Sequence, residues 1–190
     1  GGLLPRAYSS LVSRTARRAA AVITVSEAAK RDVVAHLGIS SDCVFAVLHG
    51  PNQEGGTQPS VEQMAAVRQK YRLPQRYFLY LGGFDVRKNV KSILHAYRLY
   101  LERSGDPAVR LVIAGKLPQA DSAFFPDPQK IAAELQLGTS VQFCGWIDEA
   151  DKPALYASAT AYIFPSLYEG FGMMITEAMQ AGTPVVTSAR

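Results

Sequence analysis

Residues 159–187, ATAYIFPSLYEGFGMMITEAMQAGTPVVT, hold the pattern that decides the fold. Ala159 to Phe164 is an apolar run that reads as a buried strand. A turn bearing Glu169, Gly170 and Gly172 follows it. Met173 to Ala181 then reads as a helix that stops at Gly182, and Pro184–Thr187 reads as the next strand. Strand, glycine turn, helix, strand is a crossover unit of a parallel sheet. Two carboxylates frame the turn, Glu169 on it and Glu177 inside the helix. Backbone N–H groups at such a turn suit phosphate, and carboxylates suit the hydroxyls of a sugar.

The same alternation extends through the chain. Strand-like runs are expected at 21–25, 44–48, 77–81, 110–114, 141–144, 160–164 and 184–187. Helices are expected at 27–37, 61–71, 89–104, 128–136, 151–158 and 173–181. The strands are continuous apolar runs, as in a parallel sheet covered on both faces. The expected fold class is therefore α/β, a Rossmann-like, doubly wound parallel sheet. Residues 49–60, polar and rich in Gly and Pro, read as a linker. Only two strands precede it, too few for a sheet of their own. The sequence therefore reads as a fragment at both ends.

Of the 190 residues, 48% are hydrophobic and 19% charged, enough for a sizeable core. No apolar run approaches the roughly 20 residues that span a bilayer. The net charge of +4 arises in residues 1–36, where Arg6, Arg14, Arg17, Arg18, Lys30 and Arg31 face only Glu27 and Asp32. That segment could touch anionic lipid headgroups at the inner face of a membrane, or be a solvated helix face. It lacks a nucleic-acid motif. Cys43 and Cys144 lie far apart in strand-like runs and read as buried free thiols, which suits a cytoplasmic protein. His36, His49 and His95 show no metal-ligand spacing.

Ligands of a doubly wound sheet bind beyond the carboxyl ends of its strands. After residue 81 come Gly82 and Gly83, then Arg87 and Lys88 at the mouth of the next helix. Two cations there oppose the helix dipole, a conflict that a bound diphosphate would remove. After residue 114 comes Gly115-Lys116, without the spacing of a P-loop. After residue 144 come Trp146 and Asp151. Trp146 reads as a half-buried structural residue or a base-stacking one, and Asp151 as a helix cap. Gly170-Phe171-Gly172 begins a dinucleotide fingerprint that fails at Ile175, which disfavours a dehydrogenase.

Pro165 to Gly172, with Glu177-Ala178-Met179 and Gly182-Thr183-Pro184-Val185, resembles the E-x7-E signature of the retaining group 1 glycosyltransferases of GT-B fold. Tyr77 to Gly83 with Arg87-Lys88-Asn89 resembles that family's phosphate loop. Val25-Ser26-Glu27, Leu111 to Lys116 and Phe143-Cys144-Gly145 fit in the same order. The wording is most similar to bacterial mannosyltransferases of surface polysaccharide biosynthesis that use GDP-mannose.

The resemblance implies that residues 1–48 are the tail of an N-terminal, acceptor-binding Rossmann-like domain and 61–190 a donor-binding domain. It implies transfer of a hexose from a GDP- or UDP-sugar to a glycan or lipid-linked acceptor, with retention of configuration and without a cofactor or metal. The alternative is a non-catalytic nucleotide-sugar-binding module. Lys88 would hold the donor diphosphate with help from Arg87, and Glu169 would contact the transferred sugar. These three are the expected catalytic residues. Gly82, Gly83, Lys116, Gly170, Phe171, Gly172 and Met173 would line the donor pocket. Glu177 would bind the ribose, with Ile147 and Lys152 near the base. Many members carry Arg where Gly83 stands and Pro where Met174 stands. Transfer would place charge on the leaving diphosphate, and fixed cations would stabilise it.

Overall fold

The computed structural model describes residues 3–50, 58–104 and 106–188. They form two compact units, 1–50 with Gly170–Gly172, and 51–169 with 173–190. The division follows Gly50, inside the expected linker, most of which (51–57) lies outside the described residues.

The first unit holds helix α1 (Leu3–Arg18), strand β1 (Val22–Thr24), helix α2 (Glu27–Leu37) and strand β2 (Val44–Ala46). The two strands pair in parallel, Val22 opposite Val44. Ser26 caps α2 by accepting from the Ala29 N–H at 3.0 Å, and Gly38 ends it in the left-handed region. Helix α1 had not been expected as an element. Its described side chains are mostly exposed. Cys43 sits in a 3-10 turn before β2, not in the strand, and both cysteines are half-buried, not buried.

The second unit continues with α3 (Val61–Lys70), β3 (Arg76–Leu81), α4 (Val90–Ser104), β4 (Val109–Ala114), α5 (Pro128–Glu134), β5 (Val141–Gly145), α6 (Lys152–Ala157), β6 (Ala161–Phe164), α7 (Met173–Gln180) and β7 (Val185–Thr187). Strands β3 to β7 form one parallel sheet in the order β5-β4-β3-β6-β7. This is the α/β class expected from the apolar runs. Tyr77, Leu79, Leu111, Val112, Tyr162 and Phe164 are all buried, because helices cover both faces of the sheet. The chain runs outward from β3 to β5, then returns to place β6 on the other flank of β3. The strand order therefore reverses between β3 and β6, and it is beyond the carboxyl ends at such a place that these sheets bind ligands.

Asp151 stands before α6 but does not cap it. Its carboxylate instead accepts from Lys70 Nζ at 2.6 Å and Tyr71 Oη at 2.7 Å. The same ammonium reaches Asp148 at 2.6 Å. A charge partner brought in by α3 outcompetes the local cap.

Candidate functional site

The carboxyl ends of β3, β4 and β5 meet on glycine. The ladder continues past the strands, with the Gly82 N–H donating to Ala114 O at 3.1 Å and the Gly115 N–H to Gly145 O at 2.7 Å. Gly115 has φ +134, and a Cβ there would lie 2.1 Å from Gly82 O, so no side chain fits. A Cβ on Gly82 would lie 2.9 Å from the Tyr80 hydroxyl. Gly83 is exposed and open, where a Cβ would meet only Asp85 Oδ2 at 4.0 Å.

Beyond Gly83, Asp85 begins a 3-10 turn, Val86–Lys88. Its Oδ1 accepts from the Arg87 N–H at 3.2 Å and from Arg87 Nε at 2.7 Å. The Arg87 guanidinium outweighs the burial of Asp85 and holds its carboxyl below the usual range. Asn89 closes the turn in the left-handed region, and its Nδ2 donates to Pro165 O at 3.2 Å. The Leu167 N–H donates to Arg87 O at 2.7 Å. These bonds join the loop after β3 to the loop after β6.

That join carries the charged centre. Lys88 Nζ lies 2.5 Å from Glu169 Oε1, which also accepts from Ser166 Oγ at 2.6 Å. The side chains of Lys88 and Glu169 are 19% and 26% exposed, so the pair is screened less than a surface ion pair. The ammonium also stands 5.5 Å over the Phe164 ring. The two cations do not oppose the α4 dipole unaided, as the sequence had suggested: Asp85 balances Arg87, and Glu169 balances Lys88.

Three buried tyrosines hold parts of these loops and of α7. Tyr80 donates to Gly83 O. Tyr162 donates to Leu81 O at 2.8 Å. Tyr156 donates to Glu177 Oε2 at 3.2 Å. Burial pushes all three phenols up, so each stays a protonated donor at neutral pH. Asp85, Ser166 and these tyrosines were not among the expected site residues. Asp85 two residues before Arg87 is a turn-cap spacing, and Ser166 three before Glu169 is a readable S-x-x-E signal. The tyrosines lie in apolar stretches and look like core filler.

The other expected residues are more dispersed. Lys116 is exposed. Ile147 is 2% exposed with its side chain in the core, so its main chain is what could face a base. Lys152 pairs with Glu149 at 2.6 Å. Trp146 is 66% exposed, not half-buried. Met173 opens α7. Gly170, Phe171 and Gly172 group with the first unit, where Ser26 Oγ donates to Gly170 O at 2.5 Å and the Phe171 ring meets His49 edge-on. The arrangement provides an ammonium, a guanidinium, open backbone and two carboxylates, a set suited to an anionic, hydroxyl-rich ligand.

Among the described residues, no helix is long and apolar enough to cross a membrane. The chain is 30% identical over 179 residues to the serotype-specific mannosyltransferase WbdA of Escherichia coli, covering 90% of this chain and 21% of that protein. It is 30% identical over 168 residues to the O-antigen chain mannosyltransferase B of Escherichia coli, covering 88% and 42%. The chain thus spans less than half the length of these relatives. Among solved structures, HepE of Anabaena, crystallised with UDP and glucose, superposes with a TM-score of 0.75 at 20% identity, over 94% of this chain and 47% of that one. WaaG, a glycosyltransferase involved in lipopolysaccharide biosynthesis, superposes at 0.67 and 22%, over 88% and 44%. The likeness extends the fold to the Rossmann-like half of GT-B glycosyltransferases. The family described as glycosyl transferases group 1 matches residues 63–190, and with that match the chain belongs to the group 1 glycosyltransferases.

Proposed function

We propose that this chain forms the donor-binding part of a retaining glycosyltransferase. It would move a hexose, mannose by likeness to the named relatives, from a nucleoside-diphosphate sugar to a glycan or lipid-linked acceptor. The observation that carries this reading is the Lys88–Glu169–Ser166 cluster at the point where strand order reverses. Residues 61–190 hold the donor, and residues 1–48 belong to an acceptor-binding domain. The crystallised partners named for HepE agree with a nucleotide donor.

In this reading Lys88, helped by Arg87, takes the diphosphate. Gly82, Gly83, Lys116, Gly170, Phe171, Gly172 and Met173 line the pocket, and Ile147 and Lys152 lie near the base. Glu169 holds the hydroxyls of the sugar, and Glu177 those of the ribose. The bond from the anomeric carbon to the diphosphate breaks, and its electron pair leaves with the phosphate oxygen. Lys88 and Arg87 stabilise that charge, so no metal or cofactor is called upon. The acceptor oxygen bonds to the same face of the sugar, and its proton passes to the departing phosphate. Glu169 then positions the sugar and forms no covalent intermediate, and the two-carboxylate scheme of glycoside hydrolases does not apply. At the other end, α1 exposes Tyr8, Leu11 and Val12 beside Arg14 and Arg18, which suits contact with anionic headgroups at the inner face of a membrane.

Calorimetric titration with UDP and GDP tests the donor reading. Heat of binding and a raised melting temperature with one of them are expected. No heat and no shift with either at millimolar concentration would overturn it.

A further inference from the structure

The chain leaving β6 is pinned at four consecutive residues. Thr187 Oγ1, from β7, donates to Phe164 O at 2.9 Å. Asn89 Nδ2 donates to Pro165 O at 3.2 Å. Ser188 Oγ donates to Ser166 O at 2.5 Å, and the Leu167 N–H donates to Arg87 O at 2.7 Å. Ser166 sits inside this set of bonds and is 6% exposed. Its main chain is therefore fixed, and its hydroxyl donates to Glu169 Oε1 at 2.6 Å.

Glu169 is held by two donors, and both use the same oxygen. Oε1 accepts from Ser166 Oγ and from Lys88 Nζ, the latter at 2.5 Å. The two donors differ in what a ligand does to them. Lys88 is an ammonium on a long side chain, and a diphosphate would draw it off the carboxylate. Ser166 is neutral, short and buried, so an anion gains little by recruiting it. A glutamate on a loop, once its lysine has gone, samples several rotamers unless something else holds it. The serine bond is the one that persists. It grips Oε1 and leaves Oε2 to accept from ligand hydroxyls.

We infer that Ser166 is a positioning residue that keeps Glu169 in place for the sugar of the donor once the diphosphate has taken Lys88. The inference rests on Glu169 as the sugar-binding acid, as proposed above. Ser166 touches no ligand and acts through Glu169. Its effect therefore falls on what the sugar adds to binding.

The test is calorimetric titration of the chain with GDP and GDP-mannose, and with UDP and UDP-glucose. The readout is the ratio of sugar-nucleotide to nucleotide affinity, which a merely structural role would not move. For the pair it uses, the parent should prefer the sugar nucleotide about tenfold, the scale of a hydrogen bond to a charged group. Glu169→Gln should cut this to about twofold or less. Ser166→Ala should cut it to about threefold, and adding Ser166→Ala to Glu169→Gln should change it no further. Ser166→Cys keeps the shape with a weaker donor and should fall between parent and Ser166→Ala. Melting curves check folding. A parent without preference, or a Glu169→Gln variant that retains it, removes the sugar reading and this inference with it. Full preference in Ser166→Ala, or a further loss in the double variant, overturns the positioning role alone. Failure of both Ser166 variants to melt cooperatively would make Ser166 a structural residue and overturn it as well.

Discussion

Lys88 and Glu169 meet 2.5 Å apart, and that contact sets opposite expectations for the two side chains. The ammonium is the cation proposed for the diphosphate, and the carboxylate competes with the ligand for it. Lys88→Ala should weaken binding of GDP or UDP about tenfold or more, leaving Glu169 unpaired in a half-buried place. Glu169→Gln removes the competing charge and should tighten the nucleotide by about 1 kcal/mol. Calorimetry on the two variants checks the sign, and equal weakening in both would contradict competition. The same pair marks the reach of sequence reasoning. Lys88 and Glu169 were legible because each follows a strand in a fixed order of loops. That they neutralise each other was not, since 81 positions separate them and only the pairing of β3 with β6 brings them together.

At the scale of elements, the loops after β3 and β4 interlock through Gly115, whose missing side chain leaves room for Gly82 O. Gly115→Ala should therefore destabilise the domain by about 3 kcal/mol or more, combining a clash with a strained φ. Gly83→Ala, into open space, should stay within about 0.5 kcal/mol. Urea unfolding measures both, and similar midpoints would refute the interlock. The strands were readable because buried parallel strands are continuous apolar runs. Helix α1 escaped because little of it is buried. Asp151 was read as a cap because its partners Lys70 and Tyr71 come from a distant helix, which a local motif does not show. Trp146 was read as half-buried because size alone suggests burial, yet the open backbone around Gly145, with φ +70 and nothing near its Cβ position, leaves it in solvent.

At the scale of the whole molecule, the buried phenols Tyr77, Tyr80, Tyr156 and Tyr162 make alkaline pH a measure of integrity. Burial raises each above the ordinary value near 10. Up to that pH both folded and unfolded chains keep these protons, and stability does not depend on them. Above it the unfolded chain loses protons that the folded core retains, so stability falls as pH rises. Each phenol contributes about 1.4 kcal/mol per pH unit in that range. Lys70, raised by Asp148 and then Asp151, acts in the same direction. Urea midpoints should be level through pH 9 and drop beyond 10, and level midpoints to pH 11 would contradict the buried layer. The strand order also has a kinetic consequence. Strand β3 meets β4 across one crossover, but Phe78 meets Ala161 only after β4 and β5 have been laid down. Closing that longer loop costs more chain entropy, and Lys88 meets Glu169 only once it is closed. On the proposed donor reading, a nucleotide would find no partly folded chain to grip: it would slow the exit from the native state and leave the rate of entry unchanged.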